Sequence, residues 1–247
     1  MTKTIFSRVA VFAASLLLSA TALANDGGAL QQSGTDLDDR ASLQRGAALY
    51  MNNCSGCHSL KYVRYARIAE DLGLSEDQVM QNLNFTGGKF GDHVISAMTP
   101  EMGVAAFGKA PPDLSLIARV RGPDWIYTYL KSFYLDESRP LGWNNTLFPN
   151  VSMPNPLWQM QGLQMPKYGP KSATGDAPVE GFTLSQAGSQ TPQQFDQTAR
   201  DIAAFLEYAG EPAALKRHTV GIWVVLFLAL FAFLALLLKN EYWRDVH

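Results

Sequence analysis

The chain has 247 residues, with 22 acidic and 20 basic side chains, four histidines, two cysteines and a formal charge of −2. That length holds one substantial domain. The mildly acidic balance, with no basic patch interleaved with aromatic residues, excludes nucleic acid as a partner.

Lys3 and Arg8 make the first residues basic, Val9 to Leu18 is apolar, and Ala22, Leu23 and Ala24 offer a small-residue cleavage site. This is the pattern of a secretory signal peptide over residues 1–24, with a mature start expected near Asn25. The apolar run is too short for a comfortable membrane span. Cleavage removes two positive charges and no acid, so the formal charge moves from −2 to −4. Residues 25–217 then form an exported domain. Its first part, residues 25–37, is rich in Gly, Gln, Ser and Asp and reads as an ordered arm at most.

Asp38 or Asp39 can cap a first helix that runs through Leu43, Ala47, Tyr50 and Met51 into Cys54-Ser55-Gly56-Cys57-His58. A C-x-x-C-H run attaches c-type haem. In a helical turn, residues three and four apart share a face, so two thioethers and an axial imidazole can meet one cofactor. Other readings of the motif fit less well. A thioredoxin-like pair belongs beside a βαβ pattern, which the helical flanks lack. A structural zinc ion needs four ligands, and His93, His218 and His247 are the only other histidines. A disulfide between cysteines three apart in a helix is geometrically poor.

After His58, a capping box at Ser75 and Gln78 predicts a helix from Glu76 to about Leu83. Glycines at 87, 88 and 91 break it, and residues 84–110 read as mostly irregular. A helix entered at Pro111 to Ser115 puts Leu114, Ile117 and Val120 on one face. Pro123 and Asp124 open another, with Trp125, Ile126, Tyr129, Leu130 and Phe133 at helical spacing. From Ser138 to Pro170 no periodicity appears, and proline density argues against helix or central strand. A polar loop is expected to Gln190. Thr191, Pro192 and Gln194 then start a helix that continues through Phe195, Ile202, Phe205 and Leu206 and ends at Gly210 and Pro212. No sustained strand pattern is visible.

Val220 to Leu238 is a run of 19 residues without a charge, enough to cross a hydrocarbon core of about 30 Å. Lys216 and Arg217 lie on one side, Lys239 and Arg244 on the other, so charge alone does not orient it. Export does, leaving a short cytoplasmic tail. The expected fold is mainly α: a c-type cytochrome helical haem domain with long irregular loops and one C-terminal transmembrane helix. Its divisions are a signal peptide (1–24), a periplasmic haem domain (25–217), an anchor (218–239) and a tail (240–247).

The sixth iron position separates electron transfer from ligand chemistry. The exported domain offers His93 and Met51, Met80, Met98, Met102, Met153, Met160 and Met165. Met51 and Met80 fall in helical patterns and read as core, and His93 reads as a solvent histidine. Met153, followed by Pro154 in a proline-stiffened loop, is the favoured ligand, with Met98, Met102, Met160 and Met165 remaining open. An open sixth position would instead suit a membrane-anchored peroxidase or a gas sensor, although no signalling domain follows the anchor.

Arg45 and Gly46, Tyr50, the run Cys54 to Tyr62, Pro111 to Ser115, Ala118 to Gly122, Met153-Pro154 and the Thr198 to Pro212 helix before a single anchor together resemble the cytochrome c1 family. The resemblance covers the chain from about residue 38 onward. It implies a haem-bearing electron-carrier subunit of ubiquinol–cytochrome c reductase, the cytochrome bc1 complex, in a bacterial inner membrane. Its implied partners are cytochrome b, a Rieske iron–sulfur protein, a cytochrome c acceptor and the lipid bilayer, in a dimeric complex. It makes His58 the proximal and Met153 the distal ligand of one covalent haem c, which uses both cysteines. Pro111 or Pro112 is implied to orient the imidazole through a backbone carbonyl, and Arg119 and Arg121 to pair with the haem propionates. Glu70, Asp71, Glu76, Asp77, Asp136 and Glu137 are candidate docking acids for the acceptor.

Overall fold

The computed structural model describes residues 30–170 and 177–244, so the expected signal peptide, the expected mature start and His247 lie outside the described residues. In chain order the elements are α1 (Arg40–Asn53), β1 (Leu60–Arg64), α2 (Tyr65–Leu72), α3 (Glu76–Asn82), β2 (His93–Val94), α4 (Pro100–Phe107), α5 (Ile117–Arg121), α6 (Pro123–Lys131), β3 (Phe133–Leu135), β4 (Trp143–Asn145), α7 (Trp158–Gln161), β5 (Gly162–Tyr168), β6 (Val179–Ala187), α8 (Pro192–Gly210) and α9 (Ala214–Tyr242). The mainly helical expectation holds, with three two-stranded antiparallel sheets added: β1 with β2, β3 with β4, and β5 with β6.

The frame is the crossing of α1 and α8. Asp39 caps α1 by accepting the Ser42 N–H at 3.0 Å. Thr191 and Gln194 form a reciprocal capping box on α8, with Pro192 in its first turn. These caps satisfy donors that a helix start leaves unpaired. Leu43, Ala47 and Tyr50 of α1 meet a core that includes Ile202, Ala203 and Phe205 of α8. The two helices approach so closely at Gly46 that a Cβ there would lie 2.0 Å from the Asp201 carbonyl oxygen. The Asp201 carboxylate, 2% exposed, accepts from Ser42 Oγ at 2.6 Å, Arg45 Nε at 2.7 Å and Gln197 Nε2 at 2.8 Å. A charge buried at that depth persists only when so paired.

Against α8 also packs α6, through buried Ile126, Tyr127 and Leu130. Lys131 and the Tyr127 hydroxyl both bond Asp196 on α8. The arm before α1 is fastened across α6: Ser33 donates its N–H and hydroxyl to Asp124 Oδ1 at 2.7 and 2.6 Å, and the Gln31 N–H reaches Thr128 Oγ1 at 2.9 Å. Thr35 adds a bond to Glu207 of α8 at 2.6 Å.

Four expectations from the sequence need correction. Residues 84–110 are not mostly irregular at their end: Thr99 caps α4, Pro100 sits in its first turn and Gly108 closes it at φ 73°. The helix expected from Pro111 begins only at Ile117, because the Asp113 side chain takes the Ser115 N–H at 3.0 Å and turns the chain; Val120 is 75% exposed and shares no buried face with Leu114. Within 138–170 lie β4, α7 and β5. The loop expected up to Gln190 contains β6, although its residues 171–176 lie outside the described residues. Pro166 stands in β5 opposite Phe182. A two-stranded ribbon leaves one edge of each strand unpaired, so the missing proline N–H is tolerated there.

Helix α9 has 29 residues, about 43 Å at helical rise. With a mean hydropathy of 2.9 over its most apolar window, it is the one helix among the described residues long and apolar enough to cross a membrane. Residues 222–244 lie exposed, outside any protein core.

The Gly46 contact yields a direct expectation. Gly46→Ala forces α1 and α8 apart and lowers the unfolding free energy of the haem domain by about 1–3 kcal/mol, as overpacking does. Gly181→Ala, at a position with nothing within 4 Å of the added carbon, leaves it within about 0.5 kcal/mol. Denaturant unfolding of the two variants checks the difference.

Candidate haem-binding site

Cys54 is the C-cap of α1, its N–H donating to the Tyr50 carbonyl at 2.8 Å. The chain then turns tightly, and the N–H groups of Cys57 and His58 both donate to the Cys54 carbonyl, at 3.0 and 2.9 Å. Two thiols and one imidazole are thereby held in a single turn. From inside the core the Tyr50 hydroxyl donates to the His58 carbonyl at 2.8 Å, and Ser55 Oγ donates to the Met51 carbonyl at 2.7 Å.

Two further segments hold the motif from outside. The Ser96 hydroxyl donates to the Gly56 carbonyl at 2.7 Å, and its N–H reaches Ser59 Oγ at 2.8 Å. On another side the Leu114 N–H donates to the Ser59 carbonyl at 3.0 Å, Asp113 Oδ2 accepts the Lys61 N–H at 2.9 Å, and Ser115 Oγ accepts the Tyr62 N–H at 3.2 Å. This second set lays residues 111–115 along the chain leaving His58. It brings the Pro112 carbonyl oxygen to 2.7 Å from His58 Nδ1.

A carbonyl oxygen can only accept, so Nδ1 carries the proton and Nε2 keeps its lone pair. Burial lowers the His58 pKa, against smaller opposing effects of the Pro112 bond and of Asp113, and the neutral, ligating form is favoured. Both cysteines are free. Burial pushes the Cys54 thiol up to about 12 and raises Cys57 as well, the reverse of the lowered thiol pKa that marks a reactive redox pair. Among the described residues no group of three or more His, Cys, Asp or Glu side chains is placed to hold a metal ion, so zinc lacks a ligand set there.

Met153 is half-buried, and the Tyr129 hydroxyl donates to its Sδ at 3.5 Å. Two asparagines fasten the loop that presents it. Asn145, fully buried, donates to the Tyr129 carbonyl at 2.8 Å while its Oδ1 accepts the N–H groups of Leu147 and Phe148 at 2.9 and 3.1 Å. Asn144 Oδ1 accepts the Asn150 N–H at 2.9 Å, across a turn in which Asn150 is left-handed at φ 63°. The Tyr129 ring stacks on Trp125 at 4.8 Å and meets Phe133 edge-on at 5.0 Å. Burial raises the Tyr129 pKa, keeping the hydroxyl protonated and able to donate.

The other candidate methionines are placed differently. Met51 is in the core, Met102 and Met165 are exposed, and Met80, Met98 and Met160 are half-buried. His93 lies in β2 opposite Arg64. The two arginines also separate: Arg119 Nη1 pairs with Glu211 at 2.5 Å, whereas Arg121 lies over the Trp125 ring at 5.3 Å and makes no ion pair among the described residues. Of the candidate docking acids, Asp71 is buried against Arg67 and Tyr208, Glu70 faces Lys216 at 3.6 Å, and Asp136 is taken up by Ser138 and Asn144. Glu76 and Asp77 lie exposed in the first turn of α3, and Glu137 is exposed.

Sequence reasoning named Tyr50, Asp113 and Ser115 only among the residues that carry the family resemblance and Tyr129 only as part of an apolar helix face, and it missed Ser96. Tyr50 and Tyr129 read as helix-face aromatics, and nothing local distinguishes Ser96 from any other loop serine.

Two free thiols and an oriented neutral imidazole in one turn are a donor set that fits covalent haem. On a helical domain that ends in a helix of membrane length, they define a membrane-anchored c-type cytochrome. The chain belongs to the cytochrome c1 family, whose model, described as "Cytochrome C1 family", matches residues 33–246. It is 50% identical to a cytochrome c1 of Allochromatium vinosum, over 97% of this chain and 100% of that one. It is 41% identical to a protein of Nitrosomonas europaea named ammonia monooxygenase gamma subunit, over 88% of this chain and 89% of that one. It is 29% identical to a cytochrome b/c1 of Bradyrhizobium diazoefficiens, over 85% of this chain and 34% of that longer one. Cytochromes c1 carry covalent c-type haem and serve as electron-carrier subunits, not as catalysts on their own.

Asp113 tests how residues 111–115 are held. Asp113→Ala removes both side-chain bonds to the backbone and is expected to cost about 1–3 kcal/mol. With His58 as the iron ligand that the family resemblance implies, loosening the Pro112 carbonyl from the imidazole reduces its electron donation and raises the haem potential. Unfolding followed by haem absorbance and a redox titration measure the two effects.

Proposed function

We propose that this chain is the haem-bearing electron relay of a cytochrome bc1 complex in a bacterial inner membrane, passing electrons from a Rieske iron–sulfur protein to a cytochrome c. The observation that carries the reading is the oriented His58 imidazole beside two free thiols, in a chain of the cytochrome c1 family. The name of the Bradyrhizobium relative joins b and c1 in one protein, which supports cytochrome b as the partner within the membrane.

Haem c, when bound, supplies a one-electron ferric–ferrous couple. The chain's own residues do the rest. Cys54 and Cys57 would form the thioethers, and His58 Nε2 and Met153 Sδ would hold the iron. The Pro112 carbonyl fixes the imidazole ring. Arg121, in no ion pair among the described residues and held over Trp125, is the better placed of the two arginines for a propionate, because Arg119 is engaged by Glu211. Residues 1–24 act as the export signal, 25–217 stand in the periplasm, 218–239 anchor the chain, and 240–247 form a cytoplasmic tail. Quinol oxidation and proton movement then belong to other subunits, and the assembled complex is dimeric.

Met153→Leu is expected to abolish the near-infrared Met–Fe band and lower the haem potential while leaving both thioethers intact. An unchanged band would remove Met153 as the ligand. Mild detergent extraction of the native membrane is expected to bring this chain down with a b-type cytochrome and a Rieske protein. Recovery as a lone cytochrome under several such conditions, or with the subunits of another membrane enzyme, would rule out the complex.

A further inference from the structure

We infer that Tyr129 is a positioning residue for the distal ligand, its hydroxyl holding the Met153 thioether and setting the potential of the haem couple. The inference rests on the axial role proposed for Met153 and adds a group to which that proposal gave no part. A thioether sulfur has two lone pairs. If one is given to iron, the second remains free to accept a hydrogen bond, and the Tyr129 hydroxyl already lies 3.5 Å from that sulfur.

The hydroxyl is held there from three directions. Its ring is stacked on Trp125 at 4.8 Å, with an interplanar angle of 11°. Phe133 closes the edge at 5.0 Å. Its carbonyl takes the Asn145 amide at 2.8 Å, and the same asparagine pins the loop that leads to Met153. The main chain under Tyr129 and the loop that leads to Met153 therefore share one anchor, Asn145. The other tyrosine of this helix, Tyr127, directs its hydroxyl to Asp196 and away from the thioether.

The direction of the effect follows from charge. A proton donor withdraws electron density from the sulfur and makes it a poorer donor to ferric iron. The ferrous form loses less, so the bond raises the potential. Removing it by Tyr129→Phe keeps the ring stack and deletes only the donor. At a fixed ambient potential the ferrous-to-ferric ratio is then expected to fall by up to roughly two- to twelvefold, the range for one neutral hydrogen bond.

The experiment is a redox titration and near-infrared spectrum of the full-length holo-cytochrome in its membrane complex, for wild type, Tyr129→Phe and Tyr127→Phe. Support is a downward shift of potential and a displaced Met–Fe band in Tyr129→Phe alone. An unchanged potential and band in Tyr129→Phe, or an equal shift in Tyr127→Phe, overturns the inference and leaves Met153 as a ligand untouched. A wild-type protein with no Met–Fe band overturns the axial reading itself. If Tyr129→Phe does not retain haem, the wild-type band is compared in H2O and D2O. A shift on exchange supports a hydroxyl proton on the sulfur, and an unmoved band overturns it.

Discussion

The site depends on the contact at Gly46. Only the absence of a side chain there lets α1 reach the backbone of α8 at Asp201, and only that approach brings Ser42 and Arg45 to the buried Asp201 carboxylate. Apolar packing along the rest of the interface is non-directional and fixes distance better than register. The carboxylate supplies register, since its partners come from both helices. Because Cys54 is the C-cap of α1, any slide of that helix would carry both thiols and the imidazole with it. The core and the cofactor site are therefore positioned by one crossing.

Two different kinds of support hold the two proposed ligands. Around His58 the polar contacts run largely to the main chain: Ser96, Asp113 and Ser115 each bond backbone groups of residues 56–62, and the imidazole itself meets a carbonyl. Around Met153 the support is aromatic packing and two asparagine side chains that close a loop. Each of these bonds has a main-chain partner that cannot change rotamer, which suits a ligand whose ring plane must be fixed. A thioether is flexible by nature and takes its position from what surrounds it. A carrier that changes oxidation state without binding substrate benefits from both, because ligands held by packing and outer hydrogen bonds move little between the two states.

Much of this was legible in the chain. Helices with caps announced themselves: Asp39, Ser75 and Thr191 each start the helix that their side chains suggest, and the attachment motif is local by nature. What was missed follows from the same physics. The β5–β6 ribbon has exposed residues on both faces, so neither strand shows the alternation that a buried face would impose, and Pro166 argued against it. Helix α4 has a clear N-cap and a glycine C-cap, but its single fully buried residue is Gly103, which leaves no apolar stripe to read. Apolar spacing alone suggests a helix from residue 111, whereas the Asp113 side chain takes the Ser115 N–H and turns the chain there. Tyr129 and Ser96 act through partners 24 and 40 positions away. Such contacts exist only once the loops have closed.

The same logic extends to the junction with the anchor. Glu211, in the short connection between α8 and α9, accepts from Arg119 of α5 and from Arg217 near the start of α9. Both arginines are more than half exposed, so the pairs contribute little to stability. Their effect is geometric. One carboxylate ties the helix that carries Arg119 and Arg121 to the first turn of the apolar helix. Gly210 adds a steric limit, since a Cβ there would come within 3.2 Å of the Arg119 side chain. The connection is too short to let the two helices swing independently, and α8 is already locked to α1 through Asp201. One chain of contacts thus links the start of the apolar helix, the helix that carries Arg119 and Arg121 and, through α8, the helix that ends in the attachment motif.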